Sequence, residues 1–445
     1  MDEYDVVVVG IGTAGETAAG MLQAGGNKVA LIDQGPVGGT CALRGCQPKK
    51  VFVVNTHLAA ESRALVGQGL SQPAVTDWGA LQRFKRTFTD PIPASTQASL
   101  EASGIDVFVE PAAFVEPGVI ELADSSRKLR AAKFLIASGA RSRALPVPGA
   151  ELAATSDDFL ELDELPESMV FIGGGYISLE FAFLAALSGS KVTILQRGPR
   201  MLPQFPASLV DPVVEAGTKH GIQFVTDADV AGIERDGSGY RVATQGQGEF
   251  AAAWVMGAIG RSPNVENLGL EKAGVKASGR GIEVNEYLET SAPGVYAAGD
   301  CVATKQLSPI SDMEARAAAA NIMNERSVAA DYNLVPSVVF THPQMASVGL
   351  TPEGAREEGR EVTVKSGRGD AWASYRRLGD PVVVYETVAD AKTGVLLGAH
   401  IVSPYAGEQI NLFTLAIRQG LTADALREIP WAYPTYASDL KYMLA

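Results

Sequence analysis

The sequence predicts an α/β chain in which one βαβ design occurs twice and an α+β region follows. Two glycine-rich stretches carry this prediction. Residues 10–15 (GIGTAG) follow a valine-rich run at 4–9, and residues 173–175 (GGG) follow an apolar run at 169–172. From about residue 337 the pattern changes to short strands and then helices, with no third glycine-rich stretch.

Each copy is predicted to consist of a buried strand, a glycine turn, a helix and a second buried strand. In the first copy the helix runs to about residue 22 and the second strand, at 29–32, ends at Asp33. In the second copy the helix runs to about residue 187 and the second strand, at 192–195, ends at Gln196. Gly10 and Asp33 are 23 positions apart, as are Gly173 and Gln196. The equal spacing indicates two Rossmann-like dinucleotide-binding domains.

The chemistry of these turns explains their residues. Glycine is needed where the backbone bends sharply and approaches a pyrophosphate, and the helix that follows supplies free N–H groups. Asp33 can accept hydrogen bonds from an adenosine ribose, whereas Gln196 is neutral and Arg197 follows it. This combination suits a 2′-phosphate, so the second site is predicted to prefer NADPH to NADH. The alternative for Arg197 is an ordinary solvated side chain.

The rest of the chain is divided by composition. A helical pattern covers about 52–102, and short strands are predicted at 106–121 and 134–137. The density of proline and glycine near 144–149 and 261–264 predicts boundaries of domains at these positions. We predict segments at 1–146 and 266–330 for the first dinucleotide-binding domain, 147–265 for the second, and 331–445 for the α+β domain. Its strands are expected at 337–341, 381–387 and 395–402, with two helical stretches after them.

Composition and charge exclude several classes of protein. With 445 residues, 46% of them hydrophobic and 20% charged, most of the chain should fold into several domains. The net charge of −14 disfavours binding to nucleic acid or to an anionic membrane. Acidic residues near the N-terminus and the lack of an apolar run of ~18 residues predict a cytoplasmic protein with no membrane role.

The strongest single signal is the cysteine stretch at 38–49 (GGTCALRGCQPK). Cys41 and Cys46 would point in different directions on a regular helix, so a bond between them needs a local distortion, which Gly45 permits. A metal site is an alternative, but it needs further ligands and only His57 lies nearby in sequence. Two buried structural thiols are a third interpretation. Cys301 is interpreted as ordinary packing.

Taken together, these motifs resemble the class I pyridine nucleotide-disulfide oxidoreductases, which include glutathione reductase, dihydrolipoamide dehydrogenase and mercuric reductase. The resemblance covers essentially the whole chain. It rests on both glycine fingerprints, on the cysteine stretch and on residues 295–300 (VYAAGD), with weaker matches at 136–140 (IASGA) and 340–343 (FTHP).

The resemblance implies two cofactors and a set of site residues. The residues implied for FAD and for the nicotinamide dinucleotide are Gly10, Gly12, Gly15, Asp33, Thr40, Asp300, Gly173, Gly175, Tyr176, Gln196, Arg197 and Arg261. Cys46 is implied to be the thiolate against the flavin and Cys41 the thiol that faces the substrate. Lys49 and Glu180 are implied to form an ion pair beside the flavin N5, and Tyr176 to cover the nicotinamide pocket. No metal ligands are implied.

The chain departs from this family near its C-terminal end. Disulfide reductases of the family place His-Pro-Thr there, with a glutamate five positions after the histidine. This sequence has Tyr433-Pro434-Thr435 and Ser438 instead, and its four histidines lie elsewhere. A phenol, with a reference pKa near ~10, is a poor base at neutral pH. Mercuric reductases also carry tyrosine at this place, but their C-terminal Cys-Cys pair does not occur here.

The resemblance implies an FAD-dependent NAD(P)H oxidoreductase of the EC 1.8.1 or 1.16.1 type. Electrons are expected to pass from NADPH, or alternatively NADH, through FAD to the Cys41–Cys46 disulfide and on to a disulfide-type small-molecule acceptor. A homodimer is expected, in which the C-terminal tail of one subunit completes the site of its partner. The alternatives are a metal-ion or quinone reductase that needs no histidine base, and an NAD(P)H-binding redox sensor with slow turnover.

Overall fold

The computed structural model describes residues 1–445 and has mixed helices and strands. The chain divides into two compact units. The first unit consists of Met1–Val51, Gln82–Arg143 and Arg261–Tyr332. The second unit consists of Phe52–Leu81, Ala144–Gly260 and Asn333–Ala445. The division into four domain segments inferred from composition stays a prediction.

The helices are distributed along the whole chain, and none of them is both long and apolar enough to span a membrane. In chain order they are α1 (Thr13–Ala24), α2 (Gly39–Arg44), α3 (Cys46–Ala64), α4 (Trp78–Thr89), α5 (Ile92–Ala102), α6 (Ser156–Phe159), α7 (Tyr176–Leu187), α8 (Ala207–Lys219), α9 (Leu270–Ala273), α10 (Ser308–Met323), α11 (Pro352–Glu357), α12 (Ala373–Arg376), α13 (Ala406–Arg418), α14 (Ala423–Arg427) and α15 (Leu440–Met443). Short 3₁₀ turns lie at Ala150–Leu152 and Ala437–Asp439.

The strands form six sheets. In chain order they are β1 (Asp2–Val9), β2 (Val29–Asp33), β3 (Asp106–Val109), β4 (Ala112–Glu116), β5 (Val119–Leu122), β6 (Lys128–Ile136), β7 (Ala140–Ser142), β8 (Ser168–Ile172), β9 (Lys191–Leu195), β10 (Ile222–Val225), β11 (Asp229–Asp236), β12 (Gly239–Gln245), β13 (Gly248–Ala252), β14 (Trp254–Gly257), β15 (Arg261–Pro263), β16 (Ala277–Ser278), β17 (Gly281–Ile282), β18 (Val295–Ala297), β19 (Ser337–Val339), β20 (Gln344–Gly349), β21 (Val362–Arg368), β22 (Val384–Asp390) and β23 (Leu396–Ser403).

The first unit is built on a sheet of seven strands in the order β3-β2-β1-β6-β5-β4, with β18 paired to β6. β1 runs parallel to both β2 and β6, and its residues Val6, Val7 and Val8 are fully buried. A continuous apolar run is what a parallel strand needs when both of its faces are covered. The predicted first βαβ copy is therefore confirmed as β1, α1 and β2.

The second unit contains the second copy in a parallel sheet with the order β10-β9-β8-β14. β8 pairs with β9 from Ser168 opposite Lys191 to Ile172 opposite Leu195. Helix α7 connects these two strands and is buried over most of its length. The predicted second copy is confirmed as β8, α7 and β9.

The C-terminal part of the second unit carries a five-stranded antiparallel sheet in the order β19-β20-β23-β22-β21. Ile410 and Phe413 of α13 pack with Ile401 of β23 in one apolar core. Three of these strands were predicted, with small differences in their ends. β20 and β21 were not predicted, because polar residues and glycines interrupt the alternation that marks a half-buried strand.

Candidate active site

In the first copy the glycine turn is held to the end of β2 by Asp33. The backbone N–H of Ile11 donates to Oδ2 of Asp33 at 2.6 Å, and the N–H of Gly35 donates to Oδ1 at 3.0 Å. Gly10 has a φ of +112°, and a Cβ there would lie 2.2 Å from the carbonyl oxygen of Ala137. No other residue fits at position 10, so the sharp bend requires glycine.

The second copy repeats this arrangement around Gln196. The N–H of Gly174 donates to Oε1 of Gln196 at 2.9 Å, across the same separation of 22 positions that joins Ile11 to Asp33. Gly173 has a φ of +113°, and a Cβ there would lie 2.5 Å from the carbonyl oxygen of Ala258. The internal repeat thus extends from the spacing of residues to individual hydrogen bonds.

Both turns end at a helix whose first N–H groups no side chain covers. Gly12 precedes α1 and Gly175 precedes α7, and neither helix has a side-chain cap. A Cβ on Gly175 would meet no atom within 4 Å, so this glycine borders open space. Uncapped N–H groups beside open space suit the phosphates of a dinucleotide. The residues of both turns therefore fit the cofactors that the sequence implies.

The two cysteines lie on either side of a helix break. Helix α2 ends at Arg44, Gly45 adopts φ −147° and ψ −110°, and α3 begins at Cys46. A Cβ on Gly45 would come within 2.8 Å of the carbonyl oxygen of Thr40. The expected distortion is thus found at the expected glycine. Both cysteines are free thiols in this structure.

A serine joins the two sulfurs. Oγ of Ser308, the first residue of α10, lies 3.2 Å from Sγ of Cys46 and 3.4 Å from Sγ of Cys41. No motif in the sequence predicts a role for this residue. The only local signal was the Ser-Pro pair that is typical of a helix start, and that signal says nothing about the cysteines far away in sequence.

The electrostatics differ between the two sulfurs. A hydrogen bond from Cys41 lowers the pKa of Cys46 most, and Ser308 and the positive charges of Lys49 and Lys50 add to the effect against the opposing desolvation. The same hydrogen bond and burial raise the pKa of Cys41. The dithiol therefore carries its first negative charge on Cys46.

Asp300 lies in a buried polar turn after β18. The N–H of Gly299 donates to Glu314 at 2.6 Å, and Oγ1 of Thr304 donates to the same carboxylate at 2.7 Å. Oγ of Ser311 donates to Oδ1 of Asp300 at 3.3 Å. Burial raises the pKa of Asp300, partly offset by the charge of Arg261. Glu314 was not predicted, and it holds the turn that presents Asp300.

Four other predicted residues lie on β15, α7 and α3. Arg261 begins β15 and donates to the carbonyl oxygen of Ala140. Glu180 is buried in α7, where its Oε1 accepts a hydrogen bond from the N–H of Phe340 at 3.0 Å. Tyr176 is the first residue of the same helix and is 36% exposed. Lys49 belongs to the first unit and Glu180 to the second, so their ion pair stays a prediction.

The C-terminal motif has its own local structure. The side chain of Tyr433 is 76% exposed. Ser438 is 2% exposed, and its Oγ donates to the carbonyl oxygen of Thr435 at 2.6 Å. Asp439 is buried at 4% exposure in the same 3₁₀ turn as Ser438. The hydroxyl of Ser438 thus stabilises a turn, and the carboxylate of that turn is buried whereas Tyr433 is exposed.

Three of the four histidines form a cluster, and His400 has other partners. The ring of His342 lies 5.0 Å from that of His57 and 5.4 Å from that of His220, measured between ring centroids. Burial lowers the pKa of His342 to about 3, so this ring is neutral at physiological pH. His400 is buried between Ser347 and the carbonyl oxygen of Leu350. Cys301 is also fully buried and donates to backbone carbonyls, as its interpretation as packing predicts.

Known proteins are similar to this chain over both dinucleotide turns and over its C-terminal domain. The family model described as pyridine nucleotide-disulphide oxidoreductase matches residues 4–325, and the dimerisation domain of that family matches residues 335–444. A mercuric reductase from Bacillus cereus is 34% identical over 99% of this chain and 70% of its own length. A glutathione reductase from a Nostoc species is 31% identical over 99% of both chains.

A solved structure is similar over the whole fold. The Cu(II) complex of the HOCl-induced flavoprotein disulfide reductase RclA from Escherichia coli has a TM-score of 0.91 and 28% sequence identity, and the match covers 100% of this chain and 99% of that one. The repeated dinucleotide turns, the paired thiols and these similarities lead to one conclusion. The chain belongs to the pyridine nucleotide-disulphide oxidoreductases, FAD-dependent enzymes driven by NAD(P)H, and includes their dimerisation domain.

Proposed function

We propose that this enzyme couples the oxidation of NADPH to the reduction of a disulfide-type small-molecule acceptor through Cys41 and Cys46. The observation that carries the proposal is the pair of sulfurs held at one helix break, with the negative charge on Cys46. FAD, when bound, supplies the acceptance of hydride and the transfer of two electrons to a disulfide.

The two cysteines then have different tasks. Cys41, as thiolate, attacks one sulfur of the acceptor disulfide, forms a mixed disulfide and releases the first thiolate. Cys46 attacks Sγ of Cys41, releases the second thiolate and restores the Cys41–Cys46 disulfide. Each thiolate that leaves takes up a proton. A thiolate is the nucleophile in both steps, so the low pKa of Cys46 favours the second one.

The two glycine turns contribute part of the residues that we propose for cofactor binding. We propose that Gly10, Gly12, Gly15, Asp33, Thr40 and Asp300 hold FAD, and that Gly173, Gly175, Tyr176, Gln196, Arg197 and Arg261 contribute to cofactor binding at or near the nicotinamide dinucleotide. Lys49 and Glu180 are proposed to form the ion pair beside the flavin N5, and Tyr176 to cover the nicotinamide pocket.

The quaternary structure is part of the proposal. We propose a cytoplasmic homodimer in which the C-terminal tail of each subunit completes the site of its partner. The match to the dimerisation domain and the high exposure of Tyr433 in the single chain support this arrangement.

The preference for NADPH is tested by Arg197→Ala. Gln196 is neutral and bonded to the glycine turn, and Arg197 next to it is exposed, so a 2′-phosphate would meet a cation and no carboxylate. We expect KM to rise about tenfold for NADPH and little for NADH. Arg241→Ala, at an exposed arginine on β12, is the matched control. Equal effects on both nucleotides would show that Arg197 does not meet the 2′-phosphate.

Reduction of a metal ion or a quinone is the second candidate function. The observation that favours it is Tyr433, which stands where the family's disulfide reductases carry histidine. An acceptor that takes up few protons needs no base at this position. The similarity of this chain to a mercuric reductase supports the same candidate function.

Steady-state NADPH oxidation with oxidised glutathione, lipoamide, Hg(II) and a quinone separates these functions. We expect Cys41→Ser to reduce turnover of disulfides by at least about a thousandfold, because no other group replaces the attacking thiolate. Cys301→Ala, at the remaining cysteine, should keep this turnover. Quinone reduction that survives in Cys41→Ser would favour the second candidate. Rates no higher than those without any acceptor would favour a redox sensor.

A further inference from the structure

The hydroxyl of Ser308 is the one side-chain group that contacts both redox sulfurs in the hydrogen bonds of this structure. A hydroxyl has one proton to donate and two lone pairs that accept. It can therefore donate to only one sulfur at a time. In this structure it donates to Sγ of Cys41, and either atom can donate in its contact with Sγ of Cys46, so a rotation of the hydroxyl lets Ser308 donate to whichever sulfur is the thiolate.

The position of Ser308 at the start of a helix also favours a thiolate at the sulfurs. Ser308 is the first residue of α10, a helix of 16 residues whose N-terminal end has no side-chain cap. Serine near a helix start commonly satisfies the free backbone N–H groups, but here its hydroxyl lies against the sulfurs. The sulfurs thus lie close to the positive end of a helix dipole, which also favours a thiolate.

We propose that Ser308 is a catalytic residue that stabilises the single negative charge of the dithiol on either sulfur as the charge passes between Cys46 and Cys41. In this step Cys41 gives its proton directly to Sγ of Cys46, to which it is hydrogen-bonded, and the hydroxyl of Ser308 turns from Cys46 to Cys41. One S–H bond breaks and another forms. No electron moves, and the result is a Cys41 thiolate beside a Cys46 thiol.

This role rests on the proposed function, in which Cys41 attacks as a thiolate. The other groups that act on the pair are Lys49 and Lys50, whose charges lower the pKa of Cys46, and Thr13, which hydrogen-bonds to Cys41. The two thiols also hydrogen-bond to each other. None of the four histidines belongs to the unit that contains the sulfurs. Cys46, as a thiolate hydrogen-bonded to Cys41, therefore acts as the base for Cys41, and Ser308 stabilises the thiolate that forms there.

The test is the ionisation of the two thiols in the holoenzyme, reduced with a phosphine. Alkylation by iodoacetamide is followed from pH 5 to pH 10, with each modified cysteine identified by mass spectrometry. Ser308→Ala removes the donor to the thiolate, so the pH profile should move to higher pH. Below the midpoint of the profile, alkylation should slow about tenfold. Ser308→Thr keeps the hydroxyl and should restore both the profile and the rate.

Ser95→Ala is the matched control, because Ser95 is exposed on α5 and bonds only within its own helix turn. Its profile should equal that of the wild type. An unchanged profile in Ser308→Ala would overturn the proposal, as would a change that Ser308→Thr does not restore, since packing would then be the cause. Alkylation needs no electron acceptor, so the outcome is independent of whether the proposed acceptor class is right.

Discussion

Cys46→Ser is expected to abolish the long-wavelength absorbance that the reduced enzyme shows when a thiolate lies against the flavin. Cys46 has the lower pKa of the two thiols, so after two-electron reduction it is the sulfur that carries the charge. Serine keeps the size of the side chain but stays protonated. The measurement is the visible spectrum of the FAD-loaded protein during titration with dithionite.

FAD should remain bound in this variant. Of the residues proposed to hold FAD, only Thr40 lies in α2 and none lies in α3. Cys41→Ser is the matched control, because Cys46 then has no partner for a disulfide and its thiolate should give the band without reduction at pH 8. A band that persists in Cys46→Ser would show that another group is the donor.

The sequence predicted the local parts of this site well. A spacing of 23 residues predicted two strand-turn-helix-strand units, and both are found with equivalent hydrogen bonds from Ile11 to Asp33 and from Gly174 to Gln196. Gly45 predicted the break that separates α2 from α3. These features depend on residues that are neighbours in the chain, where steric limits on the backbone decide the structure.

The parts that could not be predicted depend on long-range packing. Ser308 is 262 positions from Cys46, and no pattern within its own helix points to a sulfur. The contacts of His342 with His57 and His220 arise in the same way, from elements far apart in sequence. Glu314 is polar in a helix rich in alanine, but only the tertiary structure shows that it binds the Gly299 turn.

Tyr433→His is expected to increase the turnover of disulfides at pH 7 by about tenfold or more, since a general acid or base contributes typically about a hundredfold to ten-thousandfold. A histidine with a pKa near ~6.5 can both take and give a proton at this pH, whereas a phenol with a pKa near ~10 mainly donates. The wild-type enzyme should therefore reduce oxidised glutathione and lipoamide slowly compared with an acceptor that takes up few protons. Tyr442→His, at another exposed tyrosine of the same unit, is the control and should not increase turnover.

Adding Ser438→Glu completes the family's acid/base pair and should increase the turnover further, if the carboxylate can reach His at position 433. The structure sets a limit on this gain. Ser438 is 2% exposed and its hydroxyl bonds to the carbonyl oxygen of Thr435, so a glutamate must open the turn and leave the buried position. We expect the double variant to unfold at a lower temperature than Tyr433→His alone. A wild-type rate with oxidised glutathione of ~10 per second or more would contradict the whole argument, because a dedicated reductase works in that range and another group must then carry the proton.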